Sequence, residues 1–328
     1  MLRNLLILSI IINLVSCAPT SEEEVASAVS EARYHLSSME CSKAKSVLDD
    51  VGYQSDDADY ISVYASSQAC EAGFKVLDVL FGGNLENIDS NSLIGSLASF
   101  TTSNETQADS ANYIAIQNAI TTLIESSGGT QPSTTERNSK FGIAKSGDLS
   151  LQALYLIFVQ MGKFFALYGN ADASGVKGQG DTFDTNDCIY SYTTSDAVQW
   201  IDDNSPGSCS AATGSEGSDF LKTPVSATEI KTRLCEGIIL YNNMIDILSN
   251  ITLPSSDELG DVGNIATALN TLMTTAEGAE SGIYNDGPAD SLNAISTLRG
   301  VTAQATCEAV TIERIEKFYA IFFETIFQ

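Results

Sequence analysis

The segment from Asn170 to Asp181 reads NADASGVKGQGD and carries oxygen-bearing side chains at alternating positions. Its first, third and fifth residues are Asn170, Asp172 and Ser174, and its twelfth residue is Asp181. Side chains spaced in this way can converge their oxygen atoms on one hard cation. Gly175, the sixth residue, permits the sharp backbone turn that such a loop needs. The spacing therefore predicts a candidate Ca²⁺ site in this segment.

This loop resembles the calcium-binding loop of EF-hand proteins, with three departures. Its first residue is neutral, and Lys177 takes the eighth position, where the family has an apolar residue. Asp181 has a shorter side chain than the glutamate that usually ends the loop. With only two carboxylates we expect weak Ca²⁺ binding, and the alternative is a solvated polar loop between two helices.

The surrounding stretch, predicted as a loop insertion over residues 169–224, is rich in Gly, Ser and Thr. Over residues 170–222 only Lys177 and Lys222 oppose its acids. These acids are Asp172, Asp181, Asp184, Asp187, Asp196, Asp202, Asp203, Glu216 and Asp219. Long loops of this kind often carry function. The stretch is therefore a candidate surface for cations or a cationic ligand, and the alternative is a hydrated insertion.

The first 17 residues, MLRNLLILSIIINLVSC, combine a basic Arg3 with an apolar run over residues 5–15. The run is too short for a permanent bilayer span and is typical of an export signal. Residues 14–17, LVSC, resemble the bacterial lipobox. The resemblance implies that residues 1–16 are removed as a signal peptide and that Cys17 carries the lipid, such as palmitate. The alternative is an ordinary secretory signal that is cleaved elsewhere, and both alternatives place the body outside the cytoplasm.

Alanine, not aspartate, follows Cys17, and the sorting rule of bacterial lipoproteins then implies the outer membrane, with the body facing the periplasm or the cell surface. Residues 17–24 are the predicted tether. The chain has 42 acidic and 16 basic residues, a formal charge of −26. Such a surface repels phosphate backbones and anionic headgroups, so we expect no nucleic-acid partner. Membrane attachment would depend on the acyl chains, at about 0.8 kcal/mol per buried carbon.

Six cysteines remain once Cys17 is assigned to the lipid, and an even number in an oxidising compartment predicts disulfides. They are Cys41, Cys70, Cys188, Cys209, Cys235 and Cys307. Sequence alone does not choose among the fifteen possible pairings. Proximity in the chain favours Cys41–Cys70, Cys188–Cys209 and Cys235–Cys307. A zinc or iron–sulfur site would show closely spaced C-x-x-C pairs, and the sequence has none.

Apolar residues recur every three or four positions through most of the remaining chain, which predicts an all-α domain over residues 25–328. Two helices are expected near residues 25–36 and 41–51, and a third from a cap at Asp56 or Asp57 to about Leu80. Further helices are expected at about 90–100, 106–126, 148–168, 226–251, 257–278 and 302–327. The apolar stretch from Leu149 to Tyr168 contains Gln152, Gln160 and Lys163, which favours a buried core helix over a membrane span.

Residues 30–81 resemble tetratricopeptide-like helix pairs, as in the T-component lipoproteins of tripartite transporters. The likeness depends on Ala44 in one helix, on Tyr60, Tyr64 and Ala65 in the next, and then on Ala72 and Phe74. No clear 34-residue period continues beyond them. The resemblance implies an irregular multi-helix array of helical hairpins with a long disulfide-closed loop. The alternative is generic packing of helix hairpins.

Catalytic motifs are scarce. Ser42-Lys43-Ala44-Lys45 matches the S-x-x-K motif of penicillin-recognising enzymes, but its partner motifs are absent and a chance match is expected. The sequence therefore favours a non-enzymatic lipoprotein that acts as a scaffold or binding module for a protein partner or a small solute. The alternative is an envelope hydrolase with paired carboxylates, such as Asp184 or Asp187.

Overall fold

The computed structural model describes residues 21–74, 111–168, 188–204, 209, 226–251, 262–283 and 289–326. Every regular element in these ranges is helical, so the all-α prediction is confirmed. The helices are α1 Ser21–Ser37, α2 Cys41–Asp50, α3 Ala58–Glu71, α4 Ala111–Ile124, α5 Thr134–Phe141, α6 Ile143–Tyr168, α7 Ser195–Asn204, α8 Ala227–Asn250, α9 Val262–Ile283, α10 Ala294–Leu298, α11 Gln304–Ala309, α12 Ile312–Phe318 and α13 Glu324–Ile326. The π-helical stretch Tyr319–Phe323 joins the last two, and short 3-10 turns lie at Glu125–Ser127 and Ala289–Ser291.

Several predictions concern residues outside these ranges. They are the signal peptide, Cys17, the Ca²⁺ loop of Asn170, Asp172, Ser174 and Asp181, the helix at 90–100, and the carboxylates Asp184 and Asp187.

The first three helices form a unit with a small core of its own. Valines of α1 meet Ala44 and Leu48 of α2, and Tyr60 and Val63 of α3 close the cluster. The opposite face of α3 packs into the main core of the protein. Successive helices therefore pack against each other here, while a tetratricopeptide-like geometry stays a prediction.

Helix α6 lies in the main core and contacts α3, α4, α5 and α8. Its polar interruptions are accommodated by hydrogen bonds: the Gln152 amide donates to Ser62 O at 3.1 Å and to Ser66 Oγ at 3.0 Å. Among the described residues, no helix has the length and apolar character needed to cross a bilayer. The prediction of a core helix over Leu149–Tyr168 is confirmed for its described side chains.

Two predicted boundaries at the N-terminal unit were wrong. Helix α1 begins at Ser21, so residues 21–24 form its first turn and are not part of a tether. Three glutamates in that turn favour the helix because they lie at the positive end of its dipole. Helix α3 ends at Glu71 and not near Leu80, because Gly73 adopts the left-handed conformation (φ 82°). The Gly73 and Phe74 amides donate to Cys70 O and Ala69 O, which completes a Schellman motif.

Two further predictions, in the C-terminal half, were also wrong. The predicted helix over 302–327 is broken between α11 and α12, where Val310 and Thr311 are extended. Both residues are β-branched and poor helix formers. The predicted insertion over 169–224 contains a helix, α7, whose Trp200 and Ile201 are buried in the main core.

The six cysteines form three disulfides, which confirms the prediction of disulfide bonding. The pairs are Cys41–Cys70, Cys188–Cys209 and Cys235–Cys307, with Cα–Cα distances of 5.5, 4.6 and 5.7 Å. The first pair joins the start of α2 to the end of α3. The third ties α8 to α11.

Candidate functional site

A cavity of about 940 Å³ opens at one end of the three-helix unit. We call it the acidic groove. The starts of α1 and α3, the end of α2, the loop between α2 and α3, and the junction of α5 with α6 form its walls. It is lined by Ser21, Glu22, Glu24, Val25, Asp50, Val51, Tyr53, Gln54, Ser55, Asp56, Asp57, Ala58, Asp59, Lys140, Phe141 and Lys145. The volume is that of a typical small-ligand site.

The loop between α2 and α3 is held by local hydrogen bonds. Gly52 takes a positive φ of 75°, which turns the chain sharply after α2. The Gln54 amide donates to Val51 O and Gly52 O, each at 3.0 Å. Asp57 then caps α3, and its Oδ1 accepts from the Asp59 amide at 2.9 Å and the Tyr60 amide at 3.1 Å. The Asp57 carboxylate is therefore fixed at the groove wall.

Both lysines of the groove are already paired with carboxylates of the chain. Lys140 Nζ lies 3.1 Å from Asp56 Oδ1 and also donates to Ser126 O at 2.9 Å. Lys145 forms an ion pair with Asp59, and Arg33 approaches the same carboxylate at 3.6 Å. These pairs offset only part of the groove's negative charge.

Three other carboxylates of the groove have no such compensation. Among the described residues, Glu22, Glu24 and Asp50 have no ion-pair partner. All three are exposed. In total the groove has six carboxylates against two lysines. Clefts lined by one sign of charge attract ligands of the opposite sign.

An aromatic residue adds a second binding feature to the groove. Tyr53 is 54% exposed. Its ring packs edge-on against the rings of Tyr60 and Tyr64, with centroids 5.8 and 5.6 Å away. The Tyr60 hydroxyl donates to Leu48 O at 3.0 Å, which anchors this cluster to α2. An exposed aromatic face beside carboxylates suits an organic cation.

The groove carboxylates do not converge on one point. Within the described ranges, only Cys188, Cys209 and Glu324 bring three ligating atoms within 4.8 Å of one another, and the two sulfurs are joined in a disulfide. The groove therefore spreads its charge over a wide surface, whereas a Ca²⁺ ion needs six to eight oxygens at 2.3–2.6 Å.

A second cavity, of about 390 Å³, lies between α8, α9 and the loop before α11. Its polar side chains are largely bonded to neighbouring residues of the protein. The Asn242 amide donates to Leu298 O and Val301 O at 2.8 Å, and Asp246 Oδ2 accepts from the Thr134 amide and hydroxyl. These bonds stabilise the fold and leave few groups for a ligand.

The S-x-x-K match does not form a catalytic pair. Lys45 donates to Asp49 at 2.8 Å and lies over the Tyr64 ring at 5.4 Å. The hydrogen bond to Asp49 raises the pKa of Lys45, so this amine stays a cation and cannot act as a base. Ser42 is exposed on α2.

None of the acidic-groove residues was predicted as a site, although Asp57 was expected to cap a helix. The groove is assembled from segments up to 124 residues apart, between Ser21 and Lys145, and only the local run of acids at residues 56–59 was a visible signal. Asp196, which was assigned to an acidic surface, is buried against Lys317. No protein-family model, curated protein or solved structure matches this chain.

Proposed function

We propose that this protein is a non-enzymatic binding module, held at the outer membrane by a lipid on Cys17, and that its acidic groove binds a ligand with several positive charges. One observation supports the proposal most directly. A cavity of about 940 Å³ carries six carboxylates against two lysines and exposes Tyr53 beside them.

The ligand class follows from the spread of the charges. Carboxylates that do not converge suit several separated cations better than one metal ion. A lysine- or arginine-rich segment of a partner protein has such cations, and aromatic contacts with Tyr53 would add to the attraction. A free polyamine has the same chemistry in a smaller molecule.

The position of the groove is compatible with a partner at the membrane surface. Ser21, which lines the groove, is four positions after Cys17. Four residue-to-residue steps of extended chain reach at most about 14 Å. A lipid on Cys17 would therefore hold the groove close to the headgroups, where a basic segment of a membrane-bound partner could enter it.

Isothermal titration calorimetry of the full mature chain in detergent, with a lysine-rich peptide and with spermine, tests this proposal. We expect the peptide to bind more tightly than spermine, and we expect binding to weaken as salt is added. Glu22→Gln/Glu24→Gln removes two uncompensated charges and should weaken binding, and Tyr53→Ala should weaken it further. Glu71→Gln/Glu313→Gln makes the same change of net charge away from the groove and serves as the control.

Three results of this titration would contradict parts of the proposal. Equal losses in the groove variant and in the control would show a response to net charge alone and would overturn the assignment of the groove. If neither the peptide nor spermine gave a heat of binding, the proposed ligand class would be wrong. Tighter binding of spermine than of the peptide would replace the protein partner with a small solute.

A further inference from the structure

The three disulfides differ in their access to solvent. Cys41 is partly exposed, and its partner Cys70 is 4% exposed. The cysteines of the other two disulfides are at most 1% exposed. Thiol–disulfide exchange requires an attacking thiolate to reach one of the sulfurs. Cys41–Cys70 is therefore the disulfide that a thiolate from solution can reach most easily among the three.

The Cys41–Cys70 disulfide also faces a cavity large enough for a reactant. Both cysteines line a cavity of about 650 Å³, at the end of the three-helix unit opposite the acidic groove. Lys43 and the carboxylates Glu40 and Glu71 line the same cavity, and Lys43 Nζ is paired with Glu40 Oε1 at 2.6 Å. The cavity therefore gives a reactant access to the disulfide but has no net positive charge to attract it.

The local backbone favours a thiolate at Cys41. Cys41 is the first residue of the ten-residue helix α2, and the side chain of the preceding Glu40 makes no capping hydrogen bond to that helix. The Glu40 carboxylate instead contacts Lys43 Nζ and His35 Nδ1, each at 2.6 Å. The unsatisfied amides at the start of a helix stabilise a negative charge, so Cys41 can leave as a thiolate once it is part of a mixed disulfide.

The surroundings of the other two disulfides oppose exchange. Cys188 and Cys209 lie beside the buried carboxylate of Glu324, with ligating atoms within 4.8 Å of each other. A negative charge at that distance repels an attacking thiolate. Cys235 and Cys307 are 0% exposed between α8 and α11.

We propose that Cys41–Cys70 is a reversible thiol–disulfide exchange site on the folded protein, which an external dithiol opens by attack at Cys41 Sγ. In the first step the thiolate of the dithiol bonds to Cys41 Sγ, the Sγ–Sγ bond breaks, and Cys70 leaves as a thiolate that takes up a proton. In the second step the other thiolate of the dithiol attacks the dithiol sulfur that is bonded to Cys41 Sγ, that S–S bond breaks, and Cys41 leaves as a thiolate that takes up the second proton. The dithiol is oxidised to a disulfide, and the protein gains two electrons and two protons.

Opening this disulfide leaves the packing of the unit in place. Seven buried side chains of α1, α2 and α3 form its core without either cysteine, among them Leu48, Tyr60 and Val63. Reduction would therefore release the start of α2 from the end of α3 without removing core contacts. A local change of this kind can be reversed when the dithiol is removed.

Graded reduction of the full mature protein with dithiothreitol, a small dithiol, tests the proposal. Samples are quenched with N-ethylmaleimide and the labelled cysteines are mapped by mass spectrometry. We expect Cys41 and Cys70 to be labelled at least ten times faster than the other four, with the helical circular dichroism unchanged. Simultaneous labelling of all six cysteines, or earlier labelling of Cys188 or Cys235, would overturn the proposal.

Single variants compare how accessible the two sulfurs are to a reagent from solution. In Cys70→Ser the remaining Cys41 thiol should form a mixed disulfide rapidly with 5,5′-dithiobis(2-nitrobenzoate), and in Cys41→Ser the Cys70 thiol should react at least ten times more slowly. Equal rates would contradict the preferred access at Cys41 on which attack there depends. The double variant Cys41→Ser/Cys70→Ser is the fold control, since its four other cysteines should stay unlabelled in dithiothreitol.

Discussion

The Nζ of Lys317 lies 3.0 Å from the Oδ2 of Asp196, and the two side chains are 0% and 2% exposed. Glu280 Oε1 is a second carboxylate oxygen near the same ammonium group, at 3.6 Å. The pair joins α12 to α7, and Glu280 brings in α9. Glu280 also accepts the amides of Ala294 and Ile295 at the start of α10, at 2.6 and 2.9 Å. One buried cation therefore links four helices of the C-terminal half.

Replacing that cation should destabilise the protein strongly. Lys317→Met leaves two carboxylates buried without their cation, and breaking a buried pair in this way costs about 3–5 kcal/mol. Urea denaturation followed by circular dichroism measures the free energy of unfolding. Lys145→Met, in an exposed pair with Asp59, is the matched control and should cost less than about 1 kcal/mol. Equal losses in the two variants would contradict a structural role for Lys317.

Helix α7 shows what the sequence could and could not predict. Its apolar residues Ala197, Trp200 and Ile201 have the spacing of a helix face, and all three are buried. The stretch was nevertheless predicted as part of a loop, because it is rich in Gly, Ser and Thr. The buried environment of Asp196 depends on Lys317, 121 residues further along the chain. Only the tertiary structure brings such residues together.

The candidate site was hidden for the same reason. Periodicity predicted α1, α2 and α3, and the turn chemistry predicted a cap at Asp56 or Asp57, but neither predicted α5 or the first turn of α6, which contribute Lys140 and Lys145 to the groove. The approach of Glu22, Lys140 and Lys145 to one cavity depends on how α5 and α6 pack against the three-helix unit. That packing cannot be deduced from local spacing.

The stability of the protein should depend on pH through Glu236 on α8. Burial raises the pKa of Glu236 to about 7. The neighbouring side chains of Tyr113, Gln160 and Arg233 oppose that rise, and the Gln160 amide lies 3.4 Å from Glu236 Oε1. The folded pKa is thus above the unfolded value of about 4.3. The contribution of Glu236 is fully present below pH 4.3 and is lost as the pH rises through 7, by about 4 kcal/mol at most.

Glu236→Gln mimics the protonated side chain and keeps an acceptor for the Gln160 amide. We expect this variant to be more stable than the parent protein at pH 8, and we expect the difference to be much smaller at pH 5. Urea denaturation at the two pH values gives the comparison. Glu71→Gln, on the exposed end of α3, is the control: its free energy of unfolding should differ from that of the parent protein by the same amount at both pH values. A pH-independent effect of Glu236→Gln would mean that Glu236 does not titrate in this range.

Replacing two helical glycines by alanine should change the stability of the protein in opposite directions. A Cβ on Gly237 would collide with the Tyr319 hydroxyl and lie 2.7 Å from Phe164 Cζ. Both rings are buried, so Gly237→Ala should cost about 1–3 kcal/mol through overpacking. A Cβ on Gly278 meets no atom within 4 Å, and Gly278→Ala should stabilise α9 by about 0.5–1 kcal/mol. Thermal denaturation of both variants tests this, and a shift of the same sign in both would contradict it.

The cap of α3 should stabilise the fold through its hydrogen bonds and not through its charge. Asp57 Oδ1 accepts two backbone amides that would otherwise lack a partner in the helix. Asp57→Ala removes both bonds and should lower the free energy of unfolding by about 1 kcal/mol. Asp57→Asn keeps an acceptor oxygen and loses only the charge, so its loss should be a few tenths of a kcal/mol. If Asp57→Asn cost as much as Asp57→Ala in urea denaturation, the stabilisation would come from the charge at the helix start, and the hydrogen-bond explanation would be wrong.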